Sequence, residues 1–480
     1  MLLLLMGVWT GQARSRVLRV GIPTFPASLN PVYATDETSQ CVMNRIYDSL
    51  FIADGAGRIR KAVIKRYDVS SDRKRIRLEL CPGIRFSTGS DLSASDVAKT
   101  LGLLQNPSFG YPYASTLDYI CGIRILGSRS LILEVRSLRA NWKNSMQFKI
   151  LDDTEISGIE AADFRSARPS GSGFYRLGRE QEPAVLELVA NRWRHPTRGM
   201  AECIEMQVIP FTHLVPLKLI REEVDLCELQ PEHIDAYRRN KRWRERFDVL
   251  KYRKFGYTYL VFNLRSDRVT DVVRKLVYNV TVGGDFVSQF LRGRGEPVFT
   301  PFLLLNEEIE PVPFPEVVPK QRVRLRVVTN SESKLRREFV LFLREVLRDK
   351  RIDLQPRFLE YRSFLQALKT GGFDMALSGF LLDMDYDLID VLSEEGHFNY
   401  AGYRSQAIDR LLLSGLSELN PRKRREIYRQ AHRCWYGDLP LIPLFNLYYY
   451  VGARRSLTLS LRENQWVGAS GDFLQSLFGQ

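Results

Sequence analysis

The sequence predicts an α/β protein of more than one domain, and three observations carry that prediction. The chain has 480 residues, more than a single hydrophobic core encloses, which points to two or three domains. From residue 323 onward, strand-like and helix-like segments alternate, the order that lays helices against a parallel sheet. Ahead of that stretch lies GEPVFTPFLLLNEEIEPVPFPEVVPKQ, a proline-rich connection too long for an ordinary loop.

VLRVGIP reads as a short strand, and the prolines of PTFPASLNPVY forbid its continuation. TSQCVMNRIYDSLF carries apolar residues at helical spacing, with Thr38 or Ser39 as the expected cap. Alternation in IRLEL, between turn signals at SSDRK and PG, predicts a hairpin region. SASDVAKTLGLL reads as a helix capped by Ser93 or Ser95. SLILEVRS, the glycine turn and two strands of GSGFYRLGREQEPAVLELVA, and CIEMQVIPF follow as β structure, then a helix and short strand over LVPLKLIREEVDLCEL. YTYLVFNLRSD reads as a strand and TDVVRKLVYNVTVGGDFVSQFL as helical. Beyond the proline-rich connection come VRLRVVTN (strand), ESKLRREFVLFLREVLRDK (helix), IDLQPRFL (strand), YRSFLQALKT (helix) and FDMALSGF (strand). A helix over PRKRREIYRQAHRCWYGD and a strand over LPLIPLFNLYYYVG close the chain, and no internal repeat is visible.

Composition sets limits. An apolar share of 44% and a charged share of 26% are those of a globular protein with ample core. The formal charge is +14, with 54 Arg against 16 Lys. These cations are dispersed among acids, as in REFVLFLREVLRDK, the pattern of solvated faces rather than of a dedicated anion surface. The densest basic run, Tyr237 to Phe255, is interrupted by Glu245 and Asp248 and reads as a solvated helix and strand. Residues 1–15 form an apolar run followed by small residues, resembling a secretory leader without its basic start. Six cysteines show no metal spacing; Cys203 and Cys227, flanking one strand and helix unit, are the pair expected to bond if any does.

Motifs for catalysis are absent: no H-E-x-x-H, no phosphate-binding G-x-x-x-x-G-K-[ST], no G-x-S-x-G, and five histidines with no i, i+4 pair. The GSG at Gly171 to Gly173 follows Pro169 and reads as turn geometry. No metal site, cofactor or enzymatic activity is therefore expected. The most informative stretch is GGFDMALSGFLLDMDYD, residues 371–387, where an apolar run ends in three acids beside aromatic side chains. It reads as a buried strand delivering Asp383 to a loop. A carboxylate there can receive a cation, and with no nucleophile or base spelled nearby it points to binding rather than turnover.

The order of these segments resembles the peptide, dipeptide and nickel class of solute-binding proteins that serve bacterial ABC importers. LRVGIP…SLNPVYA resembles the opening strand and S-L-D-P loop, with Asn30 in place of Asp. RIYDSLF through DLSASDV follows the longest signature, in which E-G-L is followed by a D-G hairpin and L-R-x-G-x-x-F-x-D-G-x-x-x-x-A-x-D-V; Asp48-Ser49-Leu50 and Thr88-Gly89 depart from it. Pro112-Tyr113-Ala114-Ser115 resembles the oligopeptide-binding branch, GSGFYRL resembles G-T-G-P-Y-x-L, and FDMALSGFLLDMDYD is similar to y-D-m-a-x-x-G-W-x-x-D-y-x-D. VFNLRS…VVRKLVYNVTVGGDFV and the closing REIYRQAHRCWYGDLPLIPLFN also have counterparts, in family order.

The resemblance implies an α/β, two-lobed periplasmic-binding-protein-like fold with a hinge and an additional smaller α/β domain. It assigns 16–50, 166–255 and 436–480 to lobe I, 51–165 to the small domain and 256–435 to lobe II. It implies an exported receptor, periplasmic or on the outer face of the cytoplasmic membrane. Such a receptor captures peptides between its lobes and passes them to the importer's membrane subunits as a monomer, without nucleic acid. Asp383 takes the position that holds the peptide's ammonium, Tyr113 that of a contacting tyrosine, and Phe380 stands where the family has tryptophan in the pocket wall. The peptide's carboxylate needs a cation, for which Arg362, Lys369 and Arg404 bracket the Asp383 strand; spacing selects none of them. Two other readings stay open: the same fold holding a metal chelate, haem or murein peptide, and a basic protein binding nucleic acid or anionic lipid through Tyr237 to Phe255.

Overall fold

The opening strand, Val17–Ile22, alternates in burial until its last residues and then stops at Pro23. In the computed structural model, which describes residues 17–455, 457 and 465–467 except 55–57, 182–183, 195–200, 283–285 and 383–384, this strand is flanked by two parallel neighbours, Cys203–Val208 and Leu226–Leu229. The leader expected over residues 1–15 lies outside the described residues, as does Asp383. Antiparallel strands Val185–Ala190 and Tyr175–Gln181 extend one side, and residues 450–453 pair with Leu226–Leu229 on the other. The chain divides into two units, residues 1–253 with 449–480, and residues 254–448.

The first unit carries a second, four-stranded antiparallel sheet of Ile64–Val69, Arg75–Leu80, Ser130–Val135 and Ile120–Gly127. The helix Ala94–Gln105 accompanies it, and Ser93 is its cap, in a reciprocal box with Asp96. The earlier helix spans Glu37–Ile46, and its cap is Asp36 rather than the expected Thr38 or Ser39. Asp36 Oδ1 accepts the Ser39 amide at 2.9 Å, and a carboxylate there also suits the helix's positive end.

In the second unit the predicted parallel layer exists for three strands, Ile352–Leu359, Val323–Asn330 and Met375–Leu381. Gly256–Phe262 and the first half of Leu441–Arg454 continue the sheet antiparallel. The helix Lys334–Arg348 buries Phe339, Val340, Leu343 and Leu347, the stripe its sequence spacing predicts. Rings of Phe286 and Phe342 stack at 4.6 Å, with Phe339 and Phe290 edge-on at 5.0 Å.

The same buried device fixes the central strand order of each unit. Asp225, which precedes Leu226–Leu229, accepts the Arg19 backbone N–H at 2.9 Å and its guanidinium at 3.2 and 3.3 Å. Asp374, which precedes Met375–Leu381, accepts the Arg326 backbone N–H at 2.7 Å and its Nε at 3.3 Å. In each unit the aspartate's own N–H returns to the arginine's carbonyl, at 2.7 and 3.0 Å. Burial raises the Asp374 carboxyl, but hydrogen bonds from Arg326 and Ser266 outweigh it and hold the group below its ordinary range.

The six cysteines are free thiols. Cys203 aligns with Val17 and Cys227 with Gly21, on opposite sides of the opening strand. Two inter-strand spacings, ~10 Å, separate them, beyond the reach of a disulfide. The pair expected from their flanking positions is therefore not formed. Burial pushes the Cys227 thiol up to about 12.

Two predictions follow from burial. Asp225→Ala leaves Arg19 and Arg454 facing an empty site and is expected to cost about 3 kcal/mol, read as a lower urea midpoint. Burial first, then Arg433, pushes His432 down from 6.5 to about 4, and its Nδ1 lies 3.0 Å from Thr300 Oγ1. The unfolded chain takes up this proton near pH 6.5 and the folded chain only near 4, so the neutral ring's contribution is complete above pH 6.5 and is lost as pH falls. Between those pH values the stability difference between parent and His432→Gln should shrink; a pH-independent difference excludes this role for His432.

Candidate functional site

Parallel α/β layers bind ligands beyond the carboxyl ends of their strands, so that edge is considered in each unit separately. In the second unit Met375–Leu381 is buried through Ser378 and emerges at Gly379, Phe380 and Leu381. Phe380 is half-buried, its ring 4.8 Å from Tyr257 and 4.7 Å from Tyr259, a wall of three aromatics. Gly379 permits a close approach: a Cβ there would lie 2.5 Å from Nη2 of Arg336. Arg336, in the first turn of Lys334–Arg348, thus places a guanidinium against the end of this strand. The sequence reading missed it; the glycine preceding Phe380 was the available signal.

The loop that follows is anchored on its far side. Asp385 receives both Nη groups of Arg424, Nη1 at 2.8 Å, and each of the two side chains is 12% exposed. Tyr386 stacks on Tyr428 at 4.8 Å, and the Arg424 guanidinium lies 5.6 and 5.4 Å from the two rings. Burial alone would lower the Arg424 pKa, yet its hydrogen bonds to Asp385 raise it. Asp385 also accepts the Asp387 N–H at 2.9 Å, and Asp387 that of Ile389 at 3.1 Å. The segment immediately after Asp383 is therefore held by a bidentate ion pair and a stacked ring.

The three candidate cations are dispersed. Arg362 and Lys369 are exposed at opposite ends of the helix Tyr361–Thr370. That helix links two parallel strands and so runs against them, which puts Arg362 at the carboxyl edge of the sheet and Lys369 at the other. Arg404 pairs with Glu394 at 3.2 Å, its side chain 79% exposed. Phe358, Tyr361 and Leu381 also stand exposed at this carboxyl edge, unsignalled in the sequence because an apolar or aromatic residue in a strand or at a helix start passes for core.

In the first unit Tyr113 is 45% exposed, with its ring edge-on to Tyr111 at 5.7 Å. The two tyrosines, with Pro31, Gln40, Phe148 and Lys149, border a cavity of about 40 Å³, room for water-sized groups and not for a peptide side chain. Burial raises the Tyr111 phenol's pKa. At the carboxyl edge of this unit's own sheet Phe211 is 60% exposed, its ring 5.8 Å from His213.

The remaining motifs have structural roles. Gly171 and Gly173 pack on the last turn of Glu37–Ile46, where a Cβ would strike the carbonyls of Ile46 and Arg45, and Ser172 between them is buried. Asp48, at the family's E-G-L position, is buried and pairs with Arg194 at 3.2 Å. Within the basic run, Arg238, Lys241 and Arg246 face Asp235, Glu245 and Glu222, and Phe247 is core. Among the described residues one acidic group could hold a metal, Asp96 with Asp152 and Asp153. Its oxygens already accept from Ser93, Ser90, Thr154 and the Asp153 N–H.

Against known proteins, residues 58–279 match the middle region of the bacterial extracellular solute-binding proteins, family 5. The oligopeptide-binding protein AppA of Bacillus subtilis is 19% identical over 471 residues, 89% of this chain and 86% of its own length. Its structure, solved with a nonapeptide, superposes with a TM-score of 0.75 at 17% identity and covers 97% of this chain and 99% of that one. The structure of NikA from Brucella suis, in complex with Fe(III)-EDTA, has a TM-score of 0.82 at 15% identity and covers 97% of this chain and 100% of that one. The chain has the fold of the extracellular solute-binding proteins, and it is similar along nearly its whole length to the peptide, dipeptide and nickel class that serves ABC importers. Among the described residues no helix is long and apolar enough to cross a membrane.

Arg424→Leu removes the partner of a largely buried carboxylate and is expected to cost about 3 kcal/mol. Restoring neutrality with Asp385→Asn should recover part of that loss, a coupling read from urea midpoints of the double-mutant cycle.

Proposed function

We propose that this chain is an extracytoplasmic receptor that captures peptides and delivers them to an ABC importer. The observation that carries the reading is the full-length similarity to AppA, a peptide-binding protein, together with the matching order of motifs around Asp383. In this reading Asp383 receives the ligand's α-ammonium and Phe380 with Tyr257 and Tyr259 supplies an apolar wall; Tyr113 is a further residue to which the family resemblance gives a ligand contact. Arg336 joins Arg362 and Arg404 as a candidate for the ligand's carboxylate. The Arg424 clamp holds Asp385 and Tyr386 in advance, which spares that part of the ordering that would oppose binding.

A receptor for peptides of varied sequence does best to bind their shared termini and backbone and leave side chains to hydrated space. It performs no chemistry on its cargo. In keeping with this reading residues 1–15 act as an export leader, residues 51–165 form the small extra domain, and the receptor works as a monomer without nucleic acid. The fit to NikA, solved with a metal chelate, favours a second reading in which the cargo is a chelate or another non-peptide solute.

Calorimetric titration of the refolded chain with di- to pentapeptides tests the first reading. Asp383→Asn is expected to weaken binding by roughly ten- to a hundredfold, and N-acetylating the peptide should do the same without adding to the loss. Absence of heat with every peptide, or affinity indifferent to Asp383 and to acetylation, moves the assignment to a non-peptide cargo.

A further inference from the structure

Arginine is the residue suited to multidentate binding of tetrahedral oxyanions, because its planar fork presents donors on two edges. At the amino end of Met375–Leu381, opposite the edge that carries the Asp383 loop, three arginines border an open recess of about 510 Å³. Arg326 spends its Nε on Asp374 at 3.3 Å, and Arg268 spends Nη1 at 3.5 Å. Among the described residues the other guanidinium donors of both have no hydrogen bond or ion pair, and the side chains are 38% and 58% exposed on the lining of the recess. Arg265 forms no ion pair or guanidinium hydrogen bond among the described residues. Its guanidinium lies over two glycines, where a Cβ at Gly402 would be 2.3 Å from Nε and one at Gly371 would be 3.5 Å from Nη1.

The first unit supplies an internal control. There the equivalent Asp225 takes both Nε and Nη2 of Arg19. Arg454 gives Nη2 to Asp225 and has Nη1 3.8 Å from Glu222, its side chain 21% exposed. The same clamp consumes its arginines in one unit and leaves them half-spent in the other.

We propose that the recess formed by Arg265, Arg268 and Arg326 is a second ligand site, one that takes a phosphate group. Asp374, buried and ionised, orients two of the three forks and is itself satisfied by Ser266 Oγ at 2.8 Å. Three guanidiniums match three oxygens of a tetrahedral dianion better than the two of a carboxylate. The volume exceeds that of inorganic phosphate, so an organic group on the fourth oxygen is accommodated. Asp267, also on the lining, opposes the anion and lowers its affinity.

The test titrates the full-length chain at low salt with inorganic phosphate and with glycerol phosphate, followed by ³¹P NMR. Vesicles of phosphatidylcholine with and without phosphatidic acid are co-sedimented with the protein in parallel. Saturable phosphate binding is expected, weakened about tenfold or more in Arg265→Met/Arg268→Met and strengthened in Asp267→Asn. Co-sedimentation only with phosphatidic acid assigns the carrier as a lipid headgroup; tighter binding of glycerol phosphate without it assigns a free phosphomonoester. Both substituted arginines are exposed, so the melting temperature should hold, and peptide affinity should be unchanged. No saturable signal with either phosphate, or a double variant that binds phosphate as the parent does, overturns the proposal.

Discussion

A buried aspartate at the entrance of a strand, clamped by an arginine one strand away, is the constraint on which both units rest. An ionised carboxylate removed from water is tolerated only where donors surround it. Asp225 and Asp374 each find the backbone N–H and the guanidinium of an arginine on the parallel neighbour, Arg19 or Arg326, joined by Arg454 in the first unit and by Ser266 and Arg268 in the second. A slip of one residue would carry the arginine to the other face of the sheet and strand the charge. The polar contact therefore sets the register, and the apolar residues that follow, Leu226 and Met375, are placed in the core by it.

With register fixed at the amino ends, the carboxyl ends are free to vary. There the sheet of the second unit exposes Phe358 and Leu381 beside the half-buried Phe380, and Asp385, beyond the strand's end, is locked to Arg424. Rigid support on one side of a short exposed segment is what a binding loop needs, since precision in a site comes from the residues behind it. The opposite edge keeps its charge balanced in the first unit and has surplus guanidinium in the second.

Much of this was legible in the sequence. The alternation after residue 323 gave the parallel layer because Val, Leu and Phe fall at the right spacings, and of the two caps expected for the helix Ala94–Gln105, Ser93 or Ser95, the structure has Ser93. The motif order identified the fold class. Other features depend on contacts between distant residues. The doubled clamp does not register as a repeat, because VLRVGI and RLRVVT share only Leu-Arg-Val, a run too short to stand out, and VDLCEL and FDMALS little beyond the aspartate. Arg336 and Arg424 look, in a chain with 54 arginines, like any other surface cation. Asp36 was passed over as a cap because Thr38 and Ser39 stood closer to the apolar run. Cys203 and Cys227 were adjacent in motif order yet separated by a strand that pairs with both.

One strand, Leu441–Arg454, supplies partners to Gly256–Phe262 with its first half and to Leu226–Leu229 with its second. Both sets of strands therefore keep an unpaired edge until Leu441–Arg454 is in place, long after Leu226–Leu229 and Gly256–Phe262 in chain order. An unpaired strand edge is a template for pairing with other chains, so this one strand, by covering an edge in each unit, removes two such templates at once.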